Sequence, residues 1–459
     1  MSPLDARRRT ELLGTMPVGR LLIRLSGPAI LGMMVNSLYN LVDTIFIGQG
    51  PGTLALAALA VCFPIQMFIL AVAQTVGIGS ASIISRALGA GDRARAERVA
   101  GGSFATAAFL AMLIAALGLA FLDPLLRVFG ATDAVIPYAR RYLTVILPGG
   151  LLFAVAVSSH NLIRSEGNAR TAMISMMVGA GTNIALDPVF IFGLGLGIQG
   201  AAIATIIGQA ASFVYVITHF GRGKSHVRIR ARFLRPQPGL ALESMKIGSA
   251  SFARVVAGSL MSIALNNSVT AYGSDMHLGL VGVMQRLMIF MLMPIFGLVQ
   301  GLQPIVGYNY GGRDYCRLRR ALLLGIGAAT AYMTLWFGAV QLFPGQLLSI
   351  FSSDSQLISE GAGIMRILMA VIPVIGFQIV AASVFQALGR AGPALLLALA
   401  RRVFFLVPLI LLLPLLWGLT GIWVAYPVAD VLATVLTGAL FFREVRLMRR
   451  HCSLDGASS

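Results

Sequence analysis

Twelve long apolar runs divide this chain of 459 residues. A run of about 20 apolar residues is long enough for a helix to cross the roughly 30 Å hydrocarbon core of a bilayer. Lipid offers no partner for free backbone N–H and C=O groups, so each run is expected to be helical. The chain is therefore predicted to be an all-α membrane protein with twelve transmembrane helices, at 21–47, 55–80, 99–122, 142–163, 171–193, 198–220, 246–272, 278–305, 320–342, 364–388, 394–416 and 421–442.

The composition supports a membrane protein and gives its orientation. Only 11% of the residues are charged, whereas soluble domains carry about 25%. The basic residues that give the net charge of +18 lie almost entirely in the two terminal segments and in the even-numbered connections between successive spans. This bias is typical of cytoplasmic loops rather than of a nucleic-acid-binding face. Arg127, Arg140 and Arg141 are the exceptions. We predict a multi-pass protein of the cell inner (cytoplasmic) membrane, surrounded by membrane lipids, with both termini cytoplasmic.

The cysteines and the N-terminus add two smaller expectations. Cys62, Cys316 and Cys452 have no pairing or metal-ligand spacing, so neither a disulfide nor zinc is expected. The first twenty residues lack an apolar stretch followed by a small-residue cleavage site, so no cleaved signal peptide is expected.

An internal repeat divides the chain into two halves. Gly79, Gly89 and Asp92 of GSASIISRALGAGD recur in GLQPIVGYNYGGRD as Gly301, Gly311 and Asp314, each at a spacing of 222 residues. Each half has six spans, an even number, so the halves enter the membrane from the same side as two pseudo-symmetric six-helix lobes. Substrate is expected between such lobes. The predicted divisions are an N-terminal arm (1–20), an N-lobe (21–220), a cytoplasmic basic linker (221–245), a C-lobe (246–442) and a cytoplasmic tail (443–459).

Two carboxylates lie inside apolar runs of the first half. An ionised acid at the bilayer centre costs about 2.5–3.5 kcal/mol on insertion scales, so it is expected to face a protein interior or a wet cavity. Asp187 follows Asn183 by four residues on one helical face and precedes Pro188. Asp43 is the other acid, although its nearness to Gly48 also allows it to reach the headgroups from a helix end.

The repeat places this chemistry in one half only. The positions equivalent to Asp43 and Asp187 are Leu265 and Leu413. A structural role shared by both halves would require acids in both, so ion coupling is predicted in the N-lobe.

Other charged residues also interrupt the apolar runs. Asp430 is a candidate for either a functional or a structural role and could pair with an embedded arginine. The candidates for that arginine, or for an anion-binding or proton-repelling role, are Arg254, Arg286 and Arg366. Arg401 and Arg402 lie two turns into the eleventh span and are expected to snorkel to the cytoplasmic interface.

Four segments resemble the multidrug and toxic compound extrusion (MATE) family: LYNLVDTIFIG, GIGSASIISRALGAGD, NLIRSEGNAR and QRLMIFMLMPIFGLVQGLQPIVGYNYG. The resemblance implies a cation-coupling site, which could hold Na⁺, made by Asp43, Asn183, Asp187 and Thr205. It also implies that Tyr39, Asn40 and Asn161 contact the substrate or support the cation site. We add Arg286 and Asp430 to these candidates because they are charged residues inside apolar runs. One branch of the family has an acid in the seventh span, but here none follows Glu243.

The sequence thus predicts a secondary active antiporter that exports cationic or amphipathic drugs in exchange for H⁺ or Na⁺. It is expected to be a monomer, to need no cofactor and not to be an enzyme. Two alternatives stay open: a flippase for a lipid-linked precursor, which needs several basic residues in the central cavity, and a membrane-embedded transferase, for which His160 is the starting candidate. No Walker A motif is present, so ATP is not an expected energy source.

Overall fold

The computed structural model describes residues 3–50, 52–235, 237–351 and 354–455, and within these ranges the chain is almost entirely helical, with no strand. The predicted tail at 443–459 therefore ends, for residues 456–459, outside the described residues. The helices are α1 (Pro3–Thr15), α2 (Val18–Gln49), α3 (Thr53–Gly89), α4 (Arg93–Ala120), α5 (Leu122–Val128), α6 (Ile136–Ser165), α7 (Ala169–Pro188), α8 (Ile198–Gly221), α9 (Pro238–Tyr272), α10 (Asp275–Gly311), α11 (Tyr315–Leu342), α12 (Pro344–Ser349), α13 (Ser355–Leu368), α14 (Pro373–Ala387), α15 (Ala391–Leu399), α16 (Val407–Leu412), α17 (Pro414–Trp417) and α18 (Leu419–Asp455). Two π-helical segments, Val189–Gly193 and Ala400–Leu406, continue α7 and α15.

These helices confirm the predicted all-α membrane fold. Eleven continuous helices in the described residues are long and apolar enough to cross a bilayer, and the pair α13–α14 makes a twelfth span that is bent by 50°. This tenth span begins at Ser355, earlier than the predicted 364. The bend precedes Pro373, the first residue of α14, because proline lacks an N–H and its ring clashes with the preceding turn.

We use N-lobe and C-lobe for residues 21–220 and 246–442. In the N-lobe, α6 packs against α3 and α8, while α7 packs against α2 and α8. In the C-lobe, α14 packs against α11 and α18, and α9 packs against α15. Helices α2 and α3 of the N-lobe meet α10 and α9 of the C-lobe, so these four helices form the seam between the lobes.

One end of the bundle gathers the arginine-rich connections, and we call this end the basic face. It includes α1, the turn between α3 and α4, the segment before α9 and the end of α18. Arg95 and Glu243 form an ion pair there at 3.0 Å, which joins the start of α4 to the start of α9. The lobes are therefore linked to each other at this face.

Glycines allow the seam helices to touch in the half nearest the basic face. A Cβ added to Gly248 of α9 would lie 1.8 Å from the Thr75 carbonyl oxygen of α3, and one added to Gly311 of α10 would lie 2.0 Å from the Arg86 oxygen. Both distances are far inside van der Waals contact. The two lobes can therefore pack this closely only because both residues are glycines without a side chain.

Serine hydroxyls reinforce the same half of the seam. Ser82 donates to the carbonyl oxygen of Gln386 at 2.6 Å, and Ser26 donates to the carbonyl oxygen of Leu298 at 3.3 Å. Because each bond crosses from the N-lobe to the C-lobe, the structure is a state in which the lobes are closed at the basic face.

Helix α1 bridges both lobes across this face. Asn309 and Arg317 of the C-lobe donate to the carbonyl oxygen of Leu13 at 3.1 and 3.2 Å. Thr10 donates to the backbone oxygen of Glu166 in the N-lobe at 3.2 Å. The helix before the first span therefore connects the two lobes across the closed end of the seam.

The linker is fastened to the N-lobe by the turn between α6 and α7. The Glu166 carboxyl group accepts from the Ser225 hydroxyl at 2.6 Å and from the backbone N–H groups of His226 and Val227 at 3.0 and 3.3 Å. Burial raises the pKa of Glu166 to about 7. These bonds hold the segment after α8 against the N-lobe rather than leaving it free between the lobes.

The expectation that the cysteines form no disulfide is wrong. Cys316 at the start of α11 is joined to Cys452 near the end of α18, with their Cα atoms 5.2 Å apart. The long α18 continues past the predicted span end at 442 and brings its last turns over the start of α11. A separation of 136 residues gives no sign of this pairing. Cys62 is free and buried.

The glycine contacts predict a mutation that opens the seam. Gly311→Ala should raise maleimide labelling of an Ala81→Cys reporter in the seam several-fold, because overpacking costs about 1–3 kcal/mol and the lobes relieve it by separating. Gly282→Ala on the same helix is the matched control, since nothing lies within 4 Å of its added Cβ. Equal labelling in the two variants would contradict the assigned role of Gly311.

Candidate cation site in the N-lobe

Three helices bring the polar groups of the site together. Asp43 lies on α2, Asn183 and Asp187 lie on α7, and Thr205 lies on α8. Helix α8 approaches α7 closely because Gly208 has no side chain: an added Cβ would lie 2.6 Å from the Gly179 oxygen and 3.1 Å from the Asn183 Cβ. This close approach places Thr205, one turn before Gly208, beside Asn183.

A side-chain hydrogen-bond network connects α7 and α8. The Asn183 Nδ2 donates to Asp187 Oδ1 at 3.2 Å and to Thr205 Oγ1 at 3.4 Å. The three residues are 2%, 0% and 8% exposed, respectively. Asn183 therefore fixes the position of the Asp187 carboxyl group, and its own carbonyl oxygen is left for another partner.

Asp43 faces this network from α2. Its carboxyl group is close enough to that of Asp187 for the two to interact directly. The sequence left open whether Asp43 reaches the headgroups or faces the protein interior, and the structure places it against Asp187. Tyr39, one turn earlier on α2, is also within electrostatic range of both acids.

Three oxygens at this place are buried and have no hydrogen-bond partner in the protein: Asp43 Oδ1, Asn183 Oδ1 and Asp187 Oδ2. An unpaired buried polar group costs about 1–3 kcal/mol, and more when it is charged. Two carboxylates side by side also repel each other. A proton shared by the pair, or a small cation bound among the oxygens, would remove both costs.

The donor set fits a hard cation as well as a proton. Carboxylate, amide and hydroxyl oxygens are the ligands that hard cations take, and the residues that offer them here are Asp43, Asn183, Asp187 and Thr205. The described residues contain no group of three or more His, Cys, Asp and Glu side chains suited to a transition metal. These side chains could therefore hold a proton or a hard cation such as Na⁺.

Two further residues belong to the surroundings of Asp43 and were not found from the sequence. Tyr142 of α6 is 2% exposed and lies within electrostatic range of Asp43 and Tyr39. Gln66 of α3 donates to the Tyr142 hydroxyl at 3.3 Å. Neither residue has a sequence signal, because their position depends on how α3 and α6 pack against α2.

The other residues named from the sequence lie apart from the acids. Asn40 is exposed and donates to the Asn36 carbonyl oxygen of its own helix at 2.7 Å. Asn161 lies nearer the basic face, where it donates to Gln74 at 3.1 Å. Arg286 is exposed on α10.

Asp430 is paired, but not with an arginine that the sequence proposed. The Arg401 Nε and Nη2 atoms both donate to its carboxylate, the second at 3.3 Å. Arg402 donates to the Arg254 carbonyl oxygen at 2.8 Å. The expectation that Arg401 and Arg402 snorkel to the interface is therefore wrong: a buried carboxylate needs a partner, and the eleventh span supplies one inside the C-lobe.

Two pseudo-symmetric lobes of six spans, with an acid pair inside only one lobe, are the architecture of a membrane transporter. Comparison with known proteins gives the family. The MatE family model matches residues 28–189 and 251–412, once in each half, and the chain belongs to this family. Members of the family are transporters, so the membrane-embedded transferase is not retained as an interpretation.

Relatives with assigned names include a multidrug export protein and an FAD transporter. The chain is 26% identical to the multidrug export protein MepA of Staphylococcus haemolyticus over 95% of both proteins. It is 28% identical to the FAD transporter of Shewanella oneidensis, over 91% of this chain and 92% of the relative. It is 42% identical to a solved structure of the MATE multidrug transporter DinF-BH, with a TM-score of 0.86 over 93% of this chain and 96% of that one.

The unpaired oxygens predict that the site lowers the stability of the protein when no ion is bound. In Na⁺-free buffer at pH 8, Asp43→Asn should raise the thermal unfolding temperature of the purified protein by a few degrees, because it removes repulsion with Asp187 at a site selected for function rather than stability. Asn40→Ala, which changes a side chain bonded only to its own helix, is the control. A lower unfolding temperature for Asp43→Asn than for this control would contradict the account.

Proposed function

We propose that the protein is a secondary active antiporter that exports cationic or amphipathic drugs in exchange for H⁺ or Na⁺. The observation that supports this most directly is the set of three unpaired oxygens at Asp43, Asn183 and Asp187. The equivalent position to Asp43 in the C-lobe is Leu265, a buried core residue with 1% exposure. The coupling ion accordingly binds in the N-lobe.

Exchange follows if the ion and the substrate favour different states of the lobes. Binding of H⁺ or Na⁺ at the acid pair removes the repulsion between α2 and α7 and changes how these helices pack. Since α2 also contacts α10 of the C-lobe, that change reaches the seam. Each ligand shifts the equilibrium only by its difference in affinity for the two states, so ion entry favours drug release and the reverse.

The orientation of the cycle follows from the basic face. In our proposal this face is cytoplasmic, as the concentration of arginines predicts, and the protein is a monomer in the cell inner membrane. The state described here, with the lobes closed at the basic face, is then the one from which substrate is released outward.

The flippase alternative gains little support from the arginines that the sequence singled out. Arg366 is exposed and donates to the Gln341 carbonyl oxygen at 3.2 Å, and Arg286 is also exposed. Of the three candidates, only Arg254 contacts a residue of the seam. The hydrogen bonds of Arg254 and Arg366 have no partner in common.

Efflux from vesicles tests the proposal. Reconstituted wild-type protein should export ethidium under a pH gradient or under a Na⁺ gradient, and Asp187→Asn should lower the initial rate at least about ten-fold, which corresponds to about 1.4 kcal/mol. Thr334→Ala, which removes an exposed hydroxyl that bonds to the Thr330 oxygen of its own helix, should keep the wild-type rate. Folded protein that moves no ethidium under either gradient, or Asp187→Asn that exports at the wild-type rate, would sink the proposal.

A further inference from the structure

The structure has a set of arginines at or beside the seam, opposite in charge to the acid pair. This set consists of Arg164 at the end of α6, Arg254 in α9 and Arg402 in the eleventh span. None of the ion pairs formed by the described residues includes these three arginines. By contrast, Arg401, next to Arg402 in the chain, is neutralised by Asp430.

Arg164 is the most deeply buried of the three, with 7% exposure. Its Nη2 donates to the side-chain oxygen of Asn161, Oδ1, at 3.1 Å. The Nδ2 of Asn161 donates in turn to the Gln74 side chain. A guanidinium group has five N–H donors. The Asn161 side chain therefore orients the Arg164 guanidinium group, and no ion pair among the described residues balances its positive charge.

The Arg164 side chain lines a small cavity between the lobes. The N-lobe contributes Ser82, Ser85 and Asn161, and the C-lobe contributes Gln300, Gln303 and Gln386. The space is about 20 Å³, enough for one water-sized occupant in this closed state. Apolar residues complete the lining, namely Ile78, Ala81, Pro304 and Ala387, so polar side chains from both lobes face part of the cavity and can contact a polar or charged group there.

Gln386 connects the cavity to the arginines of the C-lobe. It accepts a hydrogen bond from Arg254 Nη2 at 3.4 Å, and its own Nε2 donates to the Ser251 hydroxyl at 3.0 Å. Arg402 donates to the backbone of Arg254. Gln386 therefore lines the cavity together with Arg164 and is bonded to Arg254.

Three unpaired guanidinium groups inside a membrane protein are costly, because removing a charge from water is unfavourable unless a counter-charge compensates it. The described residues provide no counter-charge, but they provide a partly polar cavity at the place where the lobes separate. An anionic group at that place would balance the charge, and arginine binds carboxylates and phosphates through two parallel hydrogen bonds.

We propose that Arg164 and Arg254 form an anion subsite that receives a phosphate or carboxylate group of a transported amphiphile when the lobes part at the basic face. The inference rests on the proposed exchange mechanism, since a phosphate does not fit the closed cavity. It extends the substrate class from organic cations to molecules with an anionic group on an aromatic body. The FAD transporter among the relatives is a protein whose named substrate has this chemistry.

Flavins provide a matched pair of probes, because FMN differs from riboflavin by one phosphate. Flavin fluorescence titration of the full-length protein in lipid nanodiscs should give FMN binding at least about ten-fold tighter than riboflavin binding, a difference near 1.4 kcal/mol. The preference should shrink at high salt. Arg254→Gln should lower the FMN-to-riboflavin preference about five-fold or more, and Arg254→Lys should keep part of it, since the charge stays while the two-pronged geometry is lost.

Arg366→Gln is the control, because it removes an exposed arginine that bonds to α11 rather than to the seam. It should keep the wild-type preference. Size-exclusion chromatography of each variant separates lost binding from lost folding, and Arg164→Gln repeats the test from the other lobe. Wild-type protein that binds FMN no tighter than riboflavin would overturn the proposal, as would an Arg254→Gln variant with an undiminished preference.

A competition titration distinguishes a free anion from one carried by the substrate. Inorganic phosphate should displace FMN only at concentrations far above those of FMN, because the flavin ring contributes to binding. Phosphate that binds as tightly as FMN would overturn the assignment to a transported amphiphile. Loss of ethidium efflux in the wild-type protein would count against the antiport proposal and leave the flavin titration interpretable, because binding needs no ion gradient.

Discussion

The structure depends on the cost of keeping ionisable groups away from water inside a membrane protein. Asp187 is fully buried and fixed by Asn183, and Asp43 faces it from another helix. Their unpaired oxygens leave the site incomplete without a proton or a cation. This requirement explains why polar side chains on α7 and α8 cluster there.

The two lobes share a fold but differ in charge. The repeat gives both the same order of spans, whereas the acids Asp43 and Asp187 occur only in the N-lobe, and in the C-lobe the acid Asp430 is already neutralised by Arg401. Arg164, Arg254 and Arg402, which form no ion pair among the described residues, lie at or beside the seam. A transported molecule between the lobes would therefore meet an acidic N-lobe and basic groups near the basic face, and this polarity suits a substrate with separated charges.

Much of this could be predicted from the sequence, because a bilayer permits few folds. The length of the apolar runs predicted the spans, and the glycine pairs at 79 and 301 and at 89 and 311 predicted the repeat. In the structure these glycines make close contacts across the seam. The four-residue spacing of Asn183 and Asp187 predicted that they share one helical face, and in the structure they are hydrogen-bonded there. The partner of Asp430, the bend before Pro373 and the Cys316–Cys452 bond were missed, since each depends on tertiary packing. Tyr142 and Gln66 were missed for the same reason.

The central claim is that the acid pair binds the ion which the substrate displaces. It is tested most directly by titrating ethidium into purified protein in weakly buffered solution and measuring the protons released, with and without Na⁺. The account predicts that ethidium releases protons from the wild-type protein, or displaces Na⁺ that was bound beforehand, and that neither occurs in Asp43→Asn. Ethidium binding to the wild type without release of either ion, or equal release from Asp43→Asn, would contradict it.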